Sequence, residues 1–114
     1  MNDKLVAFER LLTIMDELRE KCPWDMKQTI KSIRHLTIEE TYELSDAILE
    51  KDMDKIKKEL GDLLLHIVFY SRIASETQAF NIADVCNLSV LEHAIGKALT
   101  VEQCARDHVA RDST

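Results

Sequence analysis

Five acidic residues in two short segments are the residues of this sequence best suited to chemistry. Glu39, Glu40 and Glu43 form the first segment, and Glu59 and Asp62 form the second after 15 intervening residues. Carboxylate oxygens are the ligands that hard divalent cations such as Mg²⁺ and Mn²⁺ prefer, and they disfavour zinc. The pattern therefore indicates a cation site, provided that the chain brings these side chains together.

The two segments interrupt apolar helix faces, although acidic residues on helices usually form a solvated surface. At ~100° per residue, Glu40 and Glu43 fall within an apolar arc, and Glu59 and Asp62 do the same on the next helix. The two arcs consist of Ile33, Leu36, Leu44, Ala47 and Ile48, and of Ile56, Leu63, Ile67, Tyr70 and Ile73. Turning carboxylates toward a core is costly unless a cation neutralises them.

A turn near Asp52 would place the four carboxylates at one height. Glu43 and Glu59 are about equally far from Asp52, and Glu40 and Asp62 are level one helical turn further out. In an antiparallel hairpin, four anions this close cannot all stay ionised without a cation. A di-iron carboxylate bundle, the alternative metal site, needs Glu-x-x-His on two helices, and neither acidic pair has this spacing.

The composition indicates an all-α protein. The chain has 114 residues, of which 46% are hydrophobic, and it contains two glycines and one proline. We expect one domain, 1–114, that is an antiparallel helical bundle. We expect a first helix over about 3–21 and a second helical stretch that begins at Asp25, with a capping box to Gln28, and runs to about 50. Further helices should span about 55–77 and begin at Asn81. Asp52 or Asp54 would cap the helix over 55–77. A break near 35–37, with a second possible capping box from Thr37 to Glu40, is left open.

The charge, the cysteine content and the lengths of the apolar runs indicate which binding partners and which cellular compartment to expect. The formal net charge of −6 disfavours binding to a nucleic-acid backbone. Three cysteines without C-x-x-C spacing favour neither a disulfide framework nor a zinc knuckle. The longest apolar runs are far shorter than the ~20 residues of a membrane span. We therefore expect a cytoplasmic protein with no nucleic-acid or membrane partner.

Three segments of the sequence together resemble the MazG family of all-α nucleoside triphosphate pyrophosphohydrolases. They are Cys22-Pro23-Trp24-Asp25-x-x-Gln28-Thr29, Glu39-Glu40-x-x-Glu43, and Glu59-Leu60-Gly61-Asp62-Leu63-Leu64-Leu65. The second and third correspond to the family signature E-E-x-x-E followed by E-x-x-D. The resemblance covers about residues 8–87, and 88–114 form a divergent tail.

The resemblance implies that a nucleoside triphosphate is hydrolysed between its α- and β-phosphates, giving a monophosphate and pyrophosphate. It assigns Glu40, Glu43, Glu59 and Asp62 as ligands of Mg²⁺, with Mn²⁺ as a substitute. The resemblance also implies a catalytic role for Glu40. Glu39 points off the metal-facing side and would orient a ligand or relay a proton; the alternative is an ordinary surface glutamate.

Three further residues are candidates for substrate binding, each with a structural alternative. Trp24, the only tryptophan, would stack on the base, as an aromatic residue does in related pyrophosphohydrolases, or would pack its loop onto the first helix. His66 would contact base or sugar, or be a hydrogen-bonded core histidine. Lys55 would meet a phosphate, or form an i,i+4 ion pair with Glu59.

The segment Leu60–Tyr70 is apolar nearly all round. We expect it to be buried on most sides, which a few short helices cannot achieve alone. Family members pair their subunits, so we expect a homodimer or a larger homo-oligomer.

The tail departs from the family. Where the family has a basic Glu-Lys-x-x-x-Arg stretch that helps to hold the phosphates, this chain has Leu88-Ser89-Val90-Leu91-Glu92-His93-Ala94-Ile95, and Lys97 and Arg106 come later. The alternative function is therefore a catalytically weak or inactive helical interaction protein.

Overall fold

The computed structural model describes residues 2–90, which form five helices. They are α1 (Asp3–Lys21), α2 (Pro23–Lys27), α3 (Arg34–Glu50), α4 (Met53–Ser75) and α5 (Ile82–Val90). No strand occurs among these residues, and the all-α prediction is confirmed. None of the helices in this part of the chain has the length and hydropathy needed to cross a bilayer.

Helix α1 agrees with its predicted boundaries. The side chain of Asn2 accepts a hydrogen bond from Lys4 N at 2.8 Å and caps the first turn. The helix ends where Cys22 adopts an extended conformation, φ −87° and ψ 118°, as the residue before a proline prefers.

The predicted capping box from Asp25 to Gln28 is wrong. Helix α2 begins two residues earlier, at Pro23, because the fixed φ of proline is preorganised for the first helical position. Gln28 is extended, and its side-chain amide donates to Trp24 O at 2.9 Å. The possible second box, from Thr37 to Glu40, does not form, since Thr37 lies inside α3 with its hydroxyl 3.2 Å from Ile33 O. The break left open at 35–37 falls earlier, between α2 and α3.

Helices α3 and α4 form the hairpin predicted from the sequence. Lys51 ends α3 in the left-handed conformation, φ 59° and ψ 30°. Asp52 is the N-cap of α4, and its side chain accepts a hydrogen bond from Lys55 N at 3.2 Å. The predicted turn and the role of Asp52 as its cap are confirmed. This two-residue connection fixes which turns of α3 and α4 face each other.

The core lies where α1 and α3 pack against α4. Its buried apolar members are Met15, Ile33, Ala47, Val68, Phe69 and Ala74. The prediction that Leu60–Tyr70 is buried on most sides is wrong for the single chain. Leu60, Leu64 and Ile67 are 50%, 41% and 39% exposed, because α1 and α3 cover only part of the α4 surface.

The chain divides into two compact units, Met1–Asn81 and Ile82–Thr114. The first contains α1 to α4 and the candidate site. In the second, the described part is α5, which begins one residue after the predicted start at Asn81. Most of the divergent tail, with Lys97 and Arg106, lies outside the described residues, and a single domain over 1–114 stays a prediction.

Candidate metal centre

The hairpin brings three of the predicted carboxylates together. One oxygen from each of Glu40 and Glu43 on α3 and Glu59 on α4 lies within 4.8 Å of the other two. Glu59 is buried, Glu40 is half-buried and Glu43 is exposed. The cluster is therefore open on one side and closed by protein on the other, and it could hold a cation.

The electrostatics of this cluster disfavour three negative charges without a counter-ion. The pKa of Glu40 is raised to about 7, chiefly because burial removes water, then because its protonated form bonds to Glu59 and because Glu43 and Asp62 are close. When both carboxylates are ionised, Glu40 Oε2 and Glu59 Oε2 are buried with no hydrogen-bond donor among the described residues. Buried carboxylate oxygens normally have partners. Two buried carboxylate oxygens that lack a hydrogen-bond donor, beside a third carboxylate, suit a hard divalent cation.

Asp62 lies beside the cluster and is paired with a lysine. Asp62 Oδ2 is 3.0 Å from Lys58 Nζ, which is also 3.4 Å from Glu59 Oε1. The Asp62 charge still contributes to the raised pKa of Glu40, so Asp62 is part of the same electrostatic site. The sequence reasoning missed Lys58, although its i,i+4 spacing to Asp62 is the signal that would have identified it.

The predicted ion pair between Lys55 and Glu59 is wrong. Lys55 Nζ instead pairs with Glu50 Oε2 at 2.9 Å, across the connection between α3 and α4. The hairpin turn places the first turn of α4 beside the last turn of α3, so Glu50 is close to Lys55, and Lys58 pairs with Glu59. A phosphate contact for Lys55 stays a prediction.

His66 takes part in a polar cluster one turn beyond Asp62. Its Nδ1 is 3.0 Å from Thr37 Oγ1, which is also within hydrogen-bond distance of Tyr70 OH. The hydrogen-bonded alternative for His66 is therefore present in the structure, and a base or sugar contact stays a prediction. The sequence pattern gives no sign of this role of Thr37, because the contact joins residues 29 positions apart.

Trp24 packs onto α4 and leaves much of its ring accessible. The ring meets Phe69 edge-on, with centroids 6.4 Å apart and an interplanar angle of 66°, and Trp24 is 53% exposed. Helix α2, which carries Trp24, also contacts α1, so the structural alternative of packing onto α1 is compatible with the structure. Stacking on a base stays a prediction, as does the role of Glu39, which is exposed on α3.

Together these features define an all-helical protein with a carboxylate cluster between two antiparallel helices. The family model of the MazG nucleotide pyrophosphohydrolase domain matches residues 28–93. The matched stretch includes both acidic segments and is more than half of the chain. The chain therefore belongs to the MazG nucleotide pyrophosphohydrolase domain family, as the sequence motifs predicted.

Two curated relatives and one solved structure are similar to this chain. It is 49% identical over 81 residues to the nucleoside triphosphate pyrophosphohydrolase of Escherichia coli K12, covering 68% of this chain and 31% of the relative. It is 51% identical over 87 residues to the nucleoside triphosphate pyrophosphohydrolase/pyrophosphatase MazG of Thermotoga maritima, covering 75% and 34%. The chain thus spans about a third of the length of these relatives.

The fold is similar to the crystal structure of a mazG-related protein from Thermotoga maritima. The TM-score is 0.68 at 21% identity, and the match covers 93% of this chain and 99% of the other. This likeness supports the helical fold.

Proposed function

We propose that this chain hydrolyses nucleoside triphosphates to a nucleoside monophosphate and pyrophosphate, with a divalent cation, Mg²⁺ or Mn²⁺, at the acidic cluster. The observation that carries the proposal is the pair of buried, unpartnered oxygens of Glu40 and Glu59 beside the carboxylate of Glu43. In a member of this family, such a donor set favours a cation site over a merely solvated surface.

Glu40, Glu43 and Glu59 would hold the cation, and Asp62 would join them when it leaves Lys58. When bound, the ion neutralises phosphate oxygens and makes a nearby water a better nucleophile. Glu40 and Glu59 sit on facing helices of one short hairpin, so their oxygens are held in place before the substrate arrives. Such positioning is most of what phosphoryl transfer requires of a protein.

The remaining candidates would act on the substrate. Trp24 would stack on the base, His66 would contact base or sugar, and Lys55 would meet a phosphate. Glu39 would orient a ligand or relay a proton from the exposed side of α3. Lys58 Nζ, 3.0 Å from Asp62, adds positive charge beside the cluster. Its release when a cation binds would make it available to a phosphate oxygen.

We also propose that the chain works as a homodimer in the cytoplasm. The exposed side chains of Leu60, Leu64 and Ile67 support pairing because they share one strip of α4. Covering this strip with a second copy would remove apolar surface from water.

The test is incubation of the purified chain with canonical and damaged nucleoside triphosphates plus Mg²⁺, with detection of pyrophosphate. Release of pyrophosphate that EDTA abolishes is the expected result. If no substrate gives pyrophosphate at high protein concentration, calorimetry with a non-hydrolysable triphosphate and Mg²⁺ follows. Absence of nucleotide-linked heat would then favour the interaction protein over the enzyme.

A further inference from the structure

Arg19, near the end of α1, joins three parts of the fold through one side chain. Its Nη1 donates to the backbone oxygens of Asp25 at 2.6 Å, Gln28 at 2.8 Å and Met26 at 3.3 Å. Its Nε and Nη2 donate to the two carboxylate oxygens of Glu76 at 2.7 and 2.9 Å. The side chain is 13% exposed. It thus links the last turn of α1, helix α2 and the residue after α4.

These contacts reach carbonyls at the C-terminal end of α2 and at its cap, of which Asp25 O also accepts a hydrogen bond from Gln28 N at 3.3 Å. The last four carbonyls of any α-helix lack intrahelical partners, and a helix of five residues, Pro23–Lys27, has almost no others. A guanidinium presents several donors in a rigid fork and cannot lose its charge. Glu76 fixes the fork from the other side, and the same contact raises the pKa of Arg19. The orientation of α2 is therefore set by Arg19.

Helix α2 carries Trp24, whose position follows from this arrangement. The carbonyl of Trp24 accepts a hydrogen bond from the Gln28 side chain at 2.9 Å, and Gln28 O is itself bound by Arg19. The indole ring rests edge-on against Phe69 with about half its surface open. A movement of the 22–28 segment would therefore move the ring.

The spacing along α4 relates this segment to the acidic cluster. Asp62, Phe69 and Glu76 follow each other at intervals of seven residues, so they lie on nearly the same side, about 10 Å apart per step. The Arg19 contact is at one end of this line, the carboxylates are at the other, and the Trp24 ring is between them. Phe69, which the ring contacts, is therefore about 10 Å along the helix axis from Asp62, a length of the order of that from the phosphates of a nucleotide to its base.

We propose that Arg19 is a positioning residue for substrate binding, which holds the 22–28 segment so that the Trp24 ring meets the base of a nucleotide bound at the acidic cluster. The proposal rests on the proposed function. Arg19 touches no metal ligand in the described structure and acts on the substrate through Trp24.

The experiment compares Arg19→Lys with Arg72→Lys in the full chain. Arg72 is a matched control because it also binds Glu76, at 3.1 Å, and ties α4 to Asp16 of α1 at 2.8 Å, but it has no contact to the 22–28 carbonyls among the described interactions. Lysine keeps the positive charge but lacks the planar guanidinium, whose several N–H groups bind Glu76 and the 22–28 carbonyls at the same time. The readouts are KM and kcat, acrylamide quenching of Trp24 fluorescence, and Mn²⁺ affinity. Trp24 is the only tryptophan, so the fluorescence reports on this segment alone.

We expect Arg19→Lys to raise KM for the best triphosphate about tenfold, the effect of losing charge-assisted hydrogen bonds that hold the binding segment. Trp24 quenching should increase, while kcat and Mn²⁺ affinity stay close to those of the wild type. Arg72→Lys should leave KM and quenching unchanged. A purely structural role would lower the melting temperature without this selective change in KM.

Wild-type KM and quenching in Arg19→Lys would overturn the proposal, and so would an equal rise of KM in Arg72→Lys. If Arg19→Lys does not fold, Glu76→Gln weakens the same fork, and its KM should rise in the same direction; an unchanged KM there overturns the proposal too. Failure of the proposed function is distinguishable, because it shows as absent hydrolysis in the wild type, and the positioning role then falls with it.

Discussion

Two carboxylate oxygens, Glu40 Oε2 and Glu59 Oε2, are the atoms on which the proposed chemistry depends. Both are buried without a hydrogen-bond partner among the described residues. Helical periodicity predicted that Glu40, Glu43 and Glu59 would meet, and the structure brings them within 4.8 Å. The i,i+4 spacing of Lys58 and Asp62 is consistent with their ion pair. The same spacing between Lys55 and Glu59 gives no pair, so spacing on the helix face does not by itself select the partner of an exposed lysine.

Replacing Glu59 by glutamine should separate stability from function. With one charge of the cluster removed, we expect the metal-free chain at pH 8 to gain about 1–3 kcal/mol in unfolding free energy. Pyrophosphate release should fall by at least about a hundredfold. Urea denaturation and the pyrophosphate assay measure the two effects.

Asp46→Asn is the control for this substitution, because Asp46 is an exposed acidic residue on α3 with no resolved interaction with the cluster. It should change neither quantity. A Glu59→Gln chain that is both less stable and fully active would contradict the proposed role of the cluster.

Glu76 should make the fold sensitive to acid. Its pKa is lowered from the usual 4.5, first by the hydrogen bond from Arg19. A lowered pKa in the folded state means that the stabilisation is complete above pH 4.5 and is lost as pH falls through the folded-state value. Compared with Glu76→Gln, the wild type should be more stable by up to about 1 kcal/mol at pH 7. Urea denaturation of both chains at pH 7 and at pH 3 should show this difference shrinking; a difference independent of pH would contradict the assignment.

The helices themselves were largely predictable, and the segment between α2 and α3 was not. Apolar periodicity and caps identify α1, α3 and α4, and Asp52 marks the start of α4. The true start of α2 at Pro23 was missed because the capping pattern at Asp25 competes with the preference of proline for a first helical position. The position of Gln28 depends on Arg19, whose partner Glu76 is 57 positions away, and local sequence carries no record of such a contact. The turn that follows is held locally, because Thr29 and Ser32 bond to each other.

The connection between α3 and α4 should tolerate glycine better than lysine. Lys51 has φ 59°, a conformation that costs a non-glycine residue free energy, so Lys51→Gly should raise the unfolding free energy by roughly 0.5–1 kcal/mol. The same substitution at Lys57, 83% exposed inside α4, should lower it by about 1 kcal/mol. Thermal or urea denaturation compares the two variants, and equal signs would show that the left-handed residue carries no strain.

At the scale of the whole molecule, the apolar strip of α4, which consists of Leu60, Leu64 and Ile67, stays partly exposed in the single chain. Composition predicted that this helix needs cover on most sides, but within the described residues α1 and α3 supply only part of it. The strip and the acidic cluster share α4, so dimerisation and catalysis would depend on the same helix. No sequence pattern identifies what covers the strip, because an apolar face has the same appearance whatever it packs against.

Leu64→Glu should therefore convert a dimer to a monomer. A buried, unpaired charge in the middle of an apolar interface costs several kcal/mol, which exceeds what most small interfaces tolerate. Leu5→Glu is the control, because Leu5 is also an exposed leucine, at 62%, but belongs to α1 and not to the strip. Sedimentation equilibrium measures both masses. A wild type that is monomeric at high concentration, or a Leu64→Glu chain that stays dimeric, would contradict pairing through α4.

A titration of the metal-free chain with Mn²⁺, in which electron paramagnetic resonance measures the free ion, tests whether the acidic cluster holds a cation. The wild type should take up Mn²⁺ before the free signal rises, Mg²⁺ should compete, and Glu59→Gln should lose most of this binding. If free Mn²⁺ rises from the first addition, as it does in buffer alone, the cluster of Glu40, Glu43 and Glu59 is not a metal centre.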